Sequence, residues 1–189
     1  FREGAAFLIA NKTAYVGLIS RGALTAKDSV LVAGASGGVG LAALNLARRT
    51  GAKVVALVST KEKLDFLEKR GFENVFLSGR DDLIDKVKEV CDGKGADVIF
   101  DPVGGSLFKS LLRCSAPLGR ILIVGFADGL IPTVSTNYPL IKQLSIIGVR
   151  AGEYGRQNPS ENSKVMTDLG RLSKDRMMQP YVHKEFDWL

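Results

Sequence analysis

The stretch Val30-Leu-Val-Ala-Gly-Ala-Ser-Gly-Gly-Val-Gly40 decides the fold. It begins with a run of apolar residues, passes through a glycine-rich loop and opens a helical pattern over residues 38–50, which predicts a buried strand, a tight turn and a helix. The spacing fits Ala35-x-Gly37-x-x-Gly40, with alanine in the first glycine position of a dinucleotide-binding fingerprint. Gly37 would let the backbone approach a diphosphate, and Gly40 would let the helix pack closely on the strand.

The start of this helix is the predicted ligand site. The backbone N–H groups of Gly38 and Val39 should face the phosphates at the positive end of the helix dipole. A P-loop is excluded because no Gly-Lys-Ser or Gly-Lys-Thr follows the loop. The alternative is a tight turn that merely tolerates glycine, but the strand, the glycines and the helix together favour a dinucleotide site.

Apolar β-branched runs alternate with helical patterns along the rest of the chain, which indicates a parallel sheet covered by helices. Several of these runs are apolar almost throughout, as expected of strands buried on both faces. The predicted strands are 29–33, 53–58, 74–77, 96–100, 120–125 and 145–149. The predicted helices are 38–50, 61–70, 81–92, 106–114 and 161–172, with a helix-like stretch at the start of the chain. This order predicts an α/β, doubly wound (Rossmann) fold with a six-stranded parallel sheet and helices on both faces.

Composition limits the class of protein. The chain has 189 residues, of which 46% are hydrophobic and 24% charged, which suits one soluble domain with a substantial core. Cys91 and Cys114 are too few for a disulfide framework and are expected to be reduced, so we predict a cytoplasmic protein. The net charge of +6 favours anionic partners. We expect neither nucleic acid, because no basic run with interleaved aromatics occurs, nor a membrane, because no apolar run approaches about 18 residues.

The end of the second strand predicts which dinucleotide binds. NAD sites usually place an Asp or Glu about 20 residues beyond the glycine loop to hold the ribose 2′-hydroxyl. Here Ser59 and Thr60 occupy that place, followed by Lys61 and Lys63. Hydroxyls and lysines suit a 2′-phosphate, so we predict NADP(H). The alternative is that these lysines are ordinary exposed helix residues and that Glu62 turns back to the ribose.

Two turns at predicted strand ends are further candidates, because open α/β sheets bind ligands there. Val103 lies in Asp101-Pro-Val-Gly-Gly105 after the fourth strand, and Val124-Gly-Phe-Ala127 ends the fifth. Both turns could touch the nicotinamide ribose. The single histidine and the two cysteines form no metal-binding pattern, so no metal is expected.

The chain resembles the quinone oxidoreductase (zeta-crystallin-like) branch of the medium-chain dehydrogenase/reductase superfamily. The resemblance runs over essentially the whole chain. The segments that carry it are Thr13-Ala-Tyr15, Gly34-Ala-Ser-Gly-Gly-Val-Gly40, Ser59-Thr60 with Lys63, Asp101-Pro-Val-Gly-Gly105 and Gly119-Arg-Ile-Leu-Ile-Val-Gly-Phe126. It implies an NADP(H)-binding Rossmann domain over residues 1–189, excised from a protein that also has an N-terminal substrate domain and a C-terminal return to it.

The same resemblance assigns roles to individual residues. Gly37, Gly38 and Val39 would hold the diphosphate, while Ser59, Thr60 and Lys63 would hold the 2′-phosphate. The residues expected to border the nicotinamide end are Thr13, Val124, Gly125, Phe126, Val149 and Arg150. Family members often have a tyrosine after the third strand near the adenosine phosphate, but this chain has Ser78-Gly-Arg80, so Arg80 could supply charge there instead.

The implied reaction is zinc-independent hydride transfer from NADPH to a quinone or an α,β-unsaturated carbonyl. The cofactor carries that chemistry, and no catalytic residue is assigned to this chain. Family members pair their sixth strands across a dimer axis, and the apolar edge segment 143–149 would allow a homodimer in the same way. The alternative is that residues 180–189 cover this edge.

Two other functions stay open at this point. Tyr138-Pro-Leu-Ile-Lys142 and the spacing Gly34-x-x-x-Gly38-x-Gly40 also fit a short-chain dehydrogenase, whose Tyr and Lys must share a helical face that approaches the glycine loop. A non-catalytic module that binds NADPH as a sensor is the second alternative.

Overall fold

The computed structural model describes residues 2–187, and its centre is one parallel sheet of six strands in the order β3-β2-β1-β4-β5-β6. The strands are β1 (Ser29–Val32), β2 (Lys53–Val58), β3 (Val75–Leu77), β4 (Ala96–Asp101), β5 (Ser115–Ile123) and β6 (Ser145–Gly148). The strand order reverses between β1 and β4, which is where doubly wound sheets open a crevice for ligands. The predicted fold class is confirmed.

Helices cover both faces of the sheet. They are α1 (Arg2–Tyr15), α2 (Gly38–Thr50), α3 (Lys61–Glu68), α4 (Leu83–Val90), α5 (Leu107–Cys114), α6 (Asn137–Lys142), α7 (Ala151–Gln157) and α8 (Pro159–Leu172). A π-helical turn, Val16–Arg21, continues α1, and a short 3-10 turn, Arg176–Met178, follows α8. None of these helices, within the part of the chain that is described, is both long enough and apolar enough to cross a membrane.

The two faces bury separate cores because neighbouring strand residues point to opposite sides. Val30 and Val32 pack with α1, α2 and α8, whereas Leu31 packs with α4 and α5. All four residues of β1 are buried, which explains why this strand reads as a continuous apolar run.

The structure also contains elements that the sequence patterns missed. β5 begins at Ser115, five residues before the predicted 120, although it contains Pro117, Gly119 and the left-handed residue Leu118 at φ +62°. α6 carries Pro139 in its first turn, where the missing N–H costs no hydrogen bond. α7 contains two glycines, which weakened its helical pattern.

A hydrogen bond between Tyr15 and Asp168 links the first helix to the last long one. The Tyr15 hydroxyl donates to Oδ2 of Asp168 at 2.7 Å. Partial burial, followed by this bond, raises the pKa of Tyr15 to about 12. The bond therefore fixes the end of α1, which leads into the π-helical turn packed on Phe100 of β4.

We predict that Tyr15→Phe removes a tyrosine that titrates near pH 12. Because the folded-state pKa is about 12, above the ordinary value of 10.0, the bond stabilises the fold fully below pH 10 and loses this effect as the pH rises towards 12. Ultraviolet titration of the folded protein should lose the component near pH 12, and the stability difference between wild type and variant should shrink above pH 10. An unchanged titration curve would contradict this assignment; Tyr181→Phe is the matched control.

Candidate dinucleotide site

The turn between β1 and α2 is shaped by two glycines that lie against each other. Gly34 has φ +57°, a left-handed conformation that favours glycine. A methyl group on Gly40 would lie 2.3 Å from the carbonyl oxygen of Gly34 and 2.8 Å from Cα of Ala35. The first turn of α2 is therefore in direct backbone contact with the end of β1, which is the close packing that the fingerprint predicts.

The first turn of α2 presents backbone donors without partners. Gly37 is the N-cap and makes no side-chain cap, while its own N–H donates to the carbonyl of Gly34 at 3.0 Å. The first helical bond runs from Leu41 N–H to Gly37 O at 2.8 Å, so within residues 2–187 the N–H groups of Gly38, Val39 and Gly40 donate to no acceptor. Apart from the adjacent residues and the backbone of α2 itself, no heavy atom of residues 2–187 lies within 4 Å of a methyl group placed on Gly38. These donors and the helix dipole form an open anion site.

A second group of polar side chains lies at the end of β2. The Lys63 ammonium donates to Oγ of Ser59 at 3.0 Å, and the backbone N–H of Lys63 donates to the Thr60 hydroxyl, which caps α3, at 3.4 Å. Lys63 lines the same cavity as Gly37 and Gly38. The structure thus brings the predicted 2′-phosphate residues and the glycine turn to one edge of the sheet.

The two lysines of this segment differ in their charge environment. Lys61 forms an ion pair with Asp65 at 2.7 Å, whereas Lys63 has no acidic partner within 4.0 Å among the residues described. Glu62 also lines the cavity, and a hydrogen bond from the Thr60 hydroxyl, followed by its own backbone N–H, lowers its pKa. Lys63 is therefore the better candidate for an anionic ligand, and Glu62 is the carboxylate that such a ligand must avoid.

Arg80 lies away from this cluster, after β3. Its guanidinium pairs with both carboxylate oxygens of Asp82, one of them at 2.7 Å, and lies 5.7 Å from the centre of the Phe76 ring. Its charge is therefore balanced locally in this structure. Arg80 would have to leave Asp82 to serve the adenosine phosphate.

The predicted nicotinamide-side residues after β4 and β5 form one connected unit. The N–H of Val124 donates to Asp101 O at 2.9 Å. Gly125 lies over Pro102, and a methyl group on Gly104 would lie 2.9 Å from the ring of Phe126. Phe126 is exposed at the rim. Val103 reaches back towards β1, with Cγ2 2.9 Å from where a methyl group on Gly34 would lie.

Thr13, Val149 and Arg150 occupy three different environments. Thr13 is half-buried in α1, and its hydroxyl donates to Ile9 O at 2.9 Å. Val149 is buried, donates to Ile123 O at 2.8 Å and lies close to Gly17. Arg150 is exposed and precedes α7. No hydrogen bond joins Thr13 to Val149 or Arg150 within residues 2–187, and their place in the nicotinamide pocket stays a prediction.

A cavity of about 480 Å³ continues from the glycine turn between α1, α2 and α3. The C-terminal segment forms its far wall, where Tyr181 packs edge-on against Phe66 at 5.0 Å and lies under the Arg70 guanidinium at 4.4 Å. His183 is exposed and also lines this cavity. No local pattern could have indicated this, because the segment is far from the glycine turn in sequence.

The Tyr138 and Lys142 pair does not approach the glycine turn. The Lys142 ammonium donates to the carbonyls of Leu112, Arg113 and Ser115 at 2.7–3.1 Å, where α5 ends and β5 begins. That is the amino-terminal edge of the sheet, opposite the edge that carries the glycine turn. Tyr138 packs on the face covered by α4 and α5. The pair therefore lacks the arrangement that a short-chain dehydrogenase requires.

Potential metal ligands are not gathered anywhere in the described part of the chain. Within residues 2–187, no three side chains of His, Cys, Asp or Glu come together in a way that could hold a metal ion. Cys91 and Cys114 are both buried and unpaired, and burial raises the pKa of each thiol.

Comparison with known proteins places this geometry in a family context. Residues 38–169 match the family described as zinc-binding dehydrogenase. The chain is 38% identical over 188 residues to the quinone oxidoreductase-like protein 2 homolog of Nematostella vectensis, covering 98% of this chain and 51% of that protein. It is 37% identical over 149 residues to the quinone oxidoreductase of Homo sapiens, covering 79% and 45%. The chain thus spans about half the length of the curated relatives it matches.

Solved structures agree in fold. The mycobacterial protein Rv1454c complexed with NADPH superposes with a TM-score of 0.85 at 26% identity, over 93% of this chain and 54% of that one. The CurK enoyl reductase superposes with a TM-score of 0.86 at 23% identity, over 97% and 55%, and supports the fold alone.

We predict that Gly40→Ala and Gly38→Ala affect stability very differently. The new methyl group at residue 40 would overlap the Gly34 carbonyl, so the backbone would have to move apart. This shift should lower the free energy of unfolding by about 1–3 kcal/mol. At residue 38 the methyl group meets open space, so the change should stay within about 1 kcal/mol. Urea denaturation of both variants measures the difference. Equal stabilities would contradict the close packing of α2 on β1.

Proposed function

Because the chain belongs to the zinc-binding dehydrogenase family, in the quinone oxidoreductase-like branch of the medium-chain dehydrogenase/reductases, we propose that it is the NADP(H)-binding domain of an oxidoreductase. The substrate would be a quinone or an α,β-unsaturated carbonyl. The observation that carries the proposal is the set of unpartnered N–H groups at residues 38–40, which open next to Lys63.

The adenosine half of the cofactor would lie at the end of β2. There the Lys63 ammonium and the Ser59 hydroxyl, already 3.0 Å apart, would both bind the 2′-phosphate. NADH has a hydroxyl at this place and would leave Lys63 with only its present partner. The proposal of NADP(H) over NAD(H) depends on this difference in charge.

The nicotinamide half would cross the switch point towards β4 and β5. The diphosphate would accept hydrogen bonds from the N–H groups of Gly38, Val39 and Gly40. The turn with Val103 and the turn with Val124, Gly125 and Phe126 would then border the nicotinamide riboside. The bound cofactor supplies a hydride, which with one proton reduces the acceptor. These residues of the chain bind and orient it, and the described residues include none to which we assign a proton transfer.

That the reaction needs no zinc stays a prediction from the family resemblance; within residues 2–187 no three His, Cys, Asp or Glu side chains come together as a metal site. The curated relatives are about twice as long as this chain, and the acceptor pocket would lie mostly in the portion that the chain does not cover. A cytoplasmic location and the absence of a nucleic-acid partner stay predictions from the sequence.

A module that binds NADPH without turning it over is the second candidate. The observation that favours it is that the described site residues would bind and orient a cofactor, while none of them is assigned a proton transfer. Both candidates share the binding site, and they differ in whether a quinone added to the NADPH-loaded full-length protein consumes NADPH.

We predict that Lys63→Gln weakens NADPH binding by about 10-fold or more, because a charge-assisted hydrogen bond contributes about 1.5–3 kcal/mol. Binding of NADH should stay unchanged. Lys61→Gln is the matched control, since it removes the same charge from the same helix but from a residue paired with Asp65. Calorimetric titration of both variants with both cofactors measures the effect. Equal losses for NADPH and NADH would overturn the 2′-phosphate assignment.

We further propose that two chains pair through β6. This strand is the outer edge of the sheet, with Ile146 38% exposed. The chain that leads to it exposes Leu130, Ile131, Leu140 and Ile141. The described part of the C-terminal segment packs near α3, at the other end of the sheet, so it does not cover this edge. An open apolar edge favours pairing with a second copy.

Ile146→Lys should convert the dimer into a monomer in sedimentation velocity, because charge on an edge strand opposes pairing. The matched control is Ile9→Lys, which changes an exposed isoleucine of α1, outside the sheet. A wild-type chain that sediments as a monomer at high concentration would contradict the proposed dimer.

A further inference from the structure

The carboxyl group of Asp101 is the most enclosed charged side chain near the switch point. Asp101 is the last residue of β4 and is only 1% exposed. Its Oδ1 accepts the backbone N–H of Val103 and the N–H of Gly104, both at 2.9 Å. Its Oδ2 has no hydrogen-bond partner among residues 2–187. Burial raises the pKa of this carboxyl group, although the two N–H bonds oppose the shift. Burying a carboxyl group with one unpartnered oxygen costs free energy, which points to a structural role for Asp101 in this position.

The turn that Asp101 holds is bonded to the loop after β5. The N–H of Ala127 donates to Pro102 O at 3.1 Å, and that of Asp128 donates to Val103 O at 3.0 Å. In the opposite direction, Gly105 N–H donates to Leu130 O at 3.0 Å. The two loops are therefore linked by backbone hydrogen bonds on both sides, and a shift of one must move the other.

The same turn also presses on the glycine turn after β1. Val103 Cγ2 lies 2.9 Å from where a methyl group on Gly34 would be, so the Val103 side chain packs on the Gly34 backbone and leaves no room for a side chain there. Gly34 belongs to the segment that places the first turn of α2. Asp101 thus fixes the distance between the loops on the two sides of the switch point.

We infer that Asp101 is a positioning residue for the nicotinamide half of the cofactor, and this inference rests on the proposed function. The adenosine half depends on Ser59 and Lys63 at the end of β2, which make no hydrogen bond to the turn at 101–105. Asp101 itself is sealed from the ligand, so it acts through Val103 and through the loop at 124–130. Loss of its carboxyl group would leave two buried N–H groups unpaired and loosen the β4 and β5 side of the site, with no direct effect on the end of β2.

The test compares two ligands on the same variants of the full chain. NADPH needs both sides of the site, whereas adenosine 2′,5′-bisphosphate carries the adenosine and its 2′-phosphate without a nicotinamide riboside. In calorimetric titrations, Asp101→Ala should lower the affinity for NADPH by about tenfold or more, which corresponds to a loss of about 1.4 kcal/mol of binding free energy. The affinity for the bisphosphate should stay within about twofold of the wild-type value, since the residues at the end of β2 are unchanged. Asp101→Asn keeps an oxygen that accepts the two N–H bonds, so its affinity for NADPH should lie above that of Asp101→Ala.

The outcomes separate this inference from the proposed function. Equal weakening of both ligands by Asp101→Ala would mean general destabilisation and would overturn the inference while the NADP(H) site stands. A wild-type chain that binds neither ligand would overturn the proposed function itself. Should Asp101→Ala fail to fold, Asp101→Glu decides, because its extra methylene displaces the turn by about one bond length. A selective loss of NADPH in that variant supports the inference, and an unchanged ratio of the two affinities overturns it.

Discussion

The contact between Gly40 and the carbonyl of Gly34 is the constraint on which the rest of the structure depends. A methyl group on Gly40 would lie only 2.3 Å from that carbonyl oxygen, so residue 40 has no room for a side chain and the first turn of α2 packs directly on the end of β1. This contact aims the N–H groups of residues 38–40 out of the carboxyl edge of the sheet, where they have no acceptor within the described chain. Gly40 therefore both allows the close packing of α2 on β1 and leaves the anion site at the start of α2 open.

The reversal of strand order at β1 divides the site into two unlike halves. On the β2 side, the free cation of Lys63 lies beside Ser59, exposed to solvent and suited to a charged group. On the β4 and β5 side, backbone hydrogen bonds and the buried carboxyl group of Asp101 hold two loops together. The β2 side offers a positive charge, and the β4 and β5 side offers a wall of two fixed loops. This arrangement suits a ligand that is anionic at one end and planar at the other.

The sequence predicts the central strands well because β1 is buried throughout and β4 almost throughout, so both carry nearly uninterrupted apolar runs. It also predicts the glycine turn, since only glycine fits residues 34 and 40. It does not predict α6, whose stability comes partly from Lys142 bonding to carbonyls at the end of α5, a contact distant in sequence. Likewise, within residues 2–187, the absence of an acidic partner beside Lys63 and of a hydrogen-bond partner for Oδ2 of Asp101 depends on tertiary packing. Local patterns carry no signal for them.

The most direct test of the central claim is a crystal structure of this chain with NADP⁺. The account predicts that the diphosphate oxygens lie about 2.7–3.2 Å from the backbone nitrogens of Gly38, Val39 and Gly40. A diphosphate bound elsewhere on the molecule, or a first turn of α2 covered by protein atoms instead of the ligand, would contradict it.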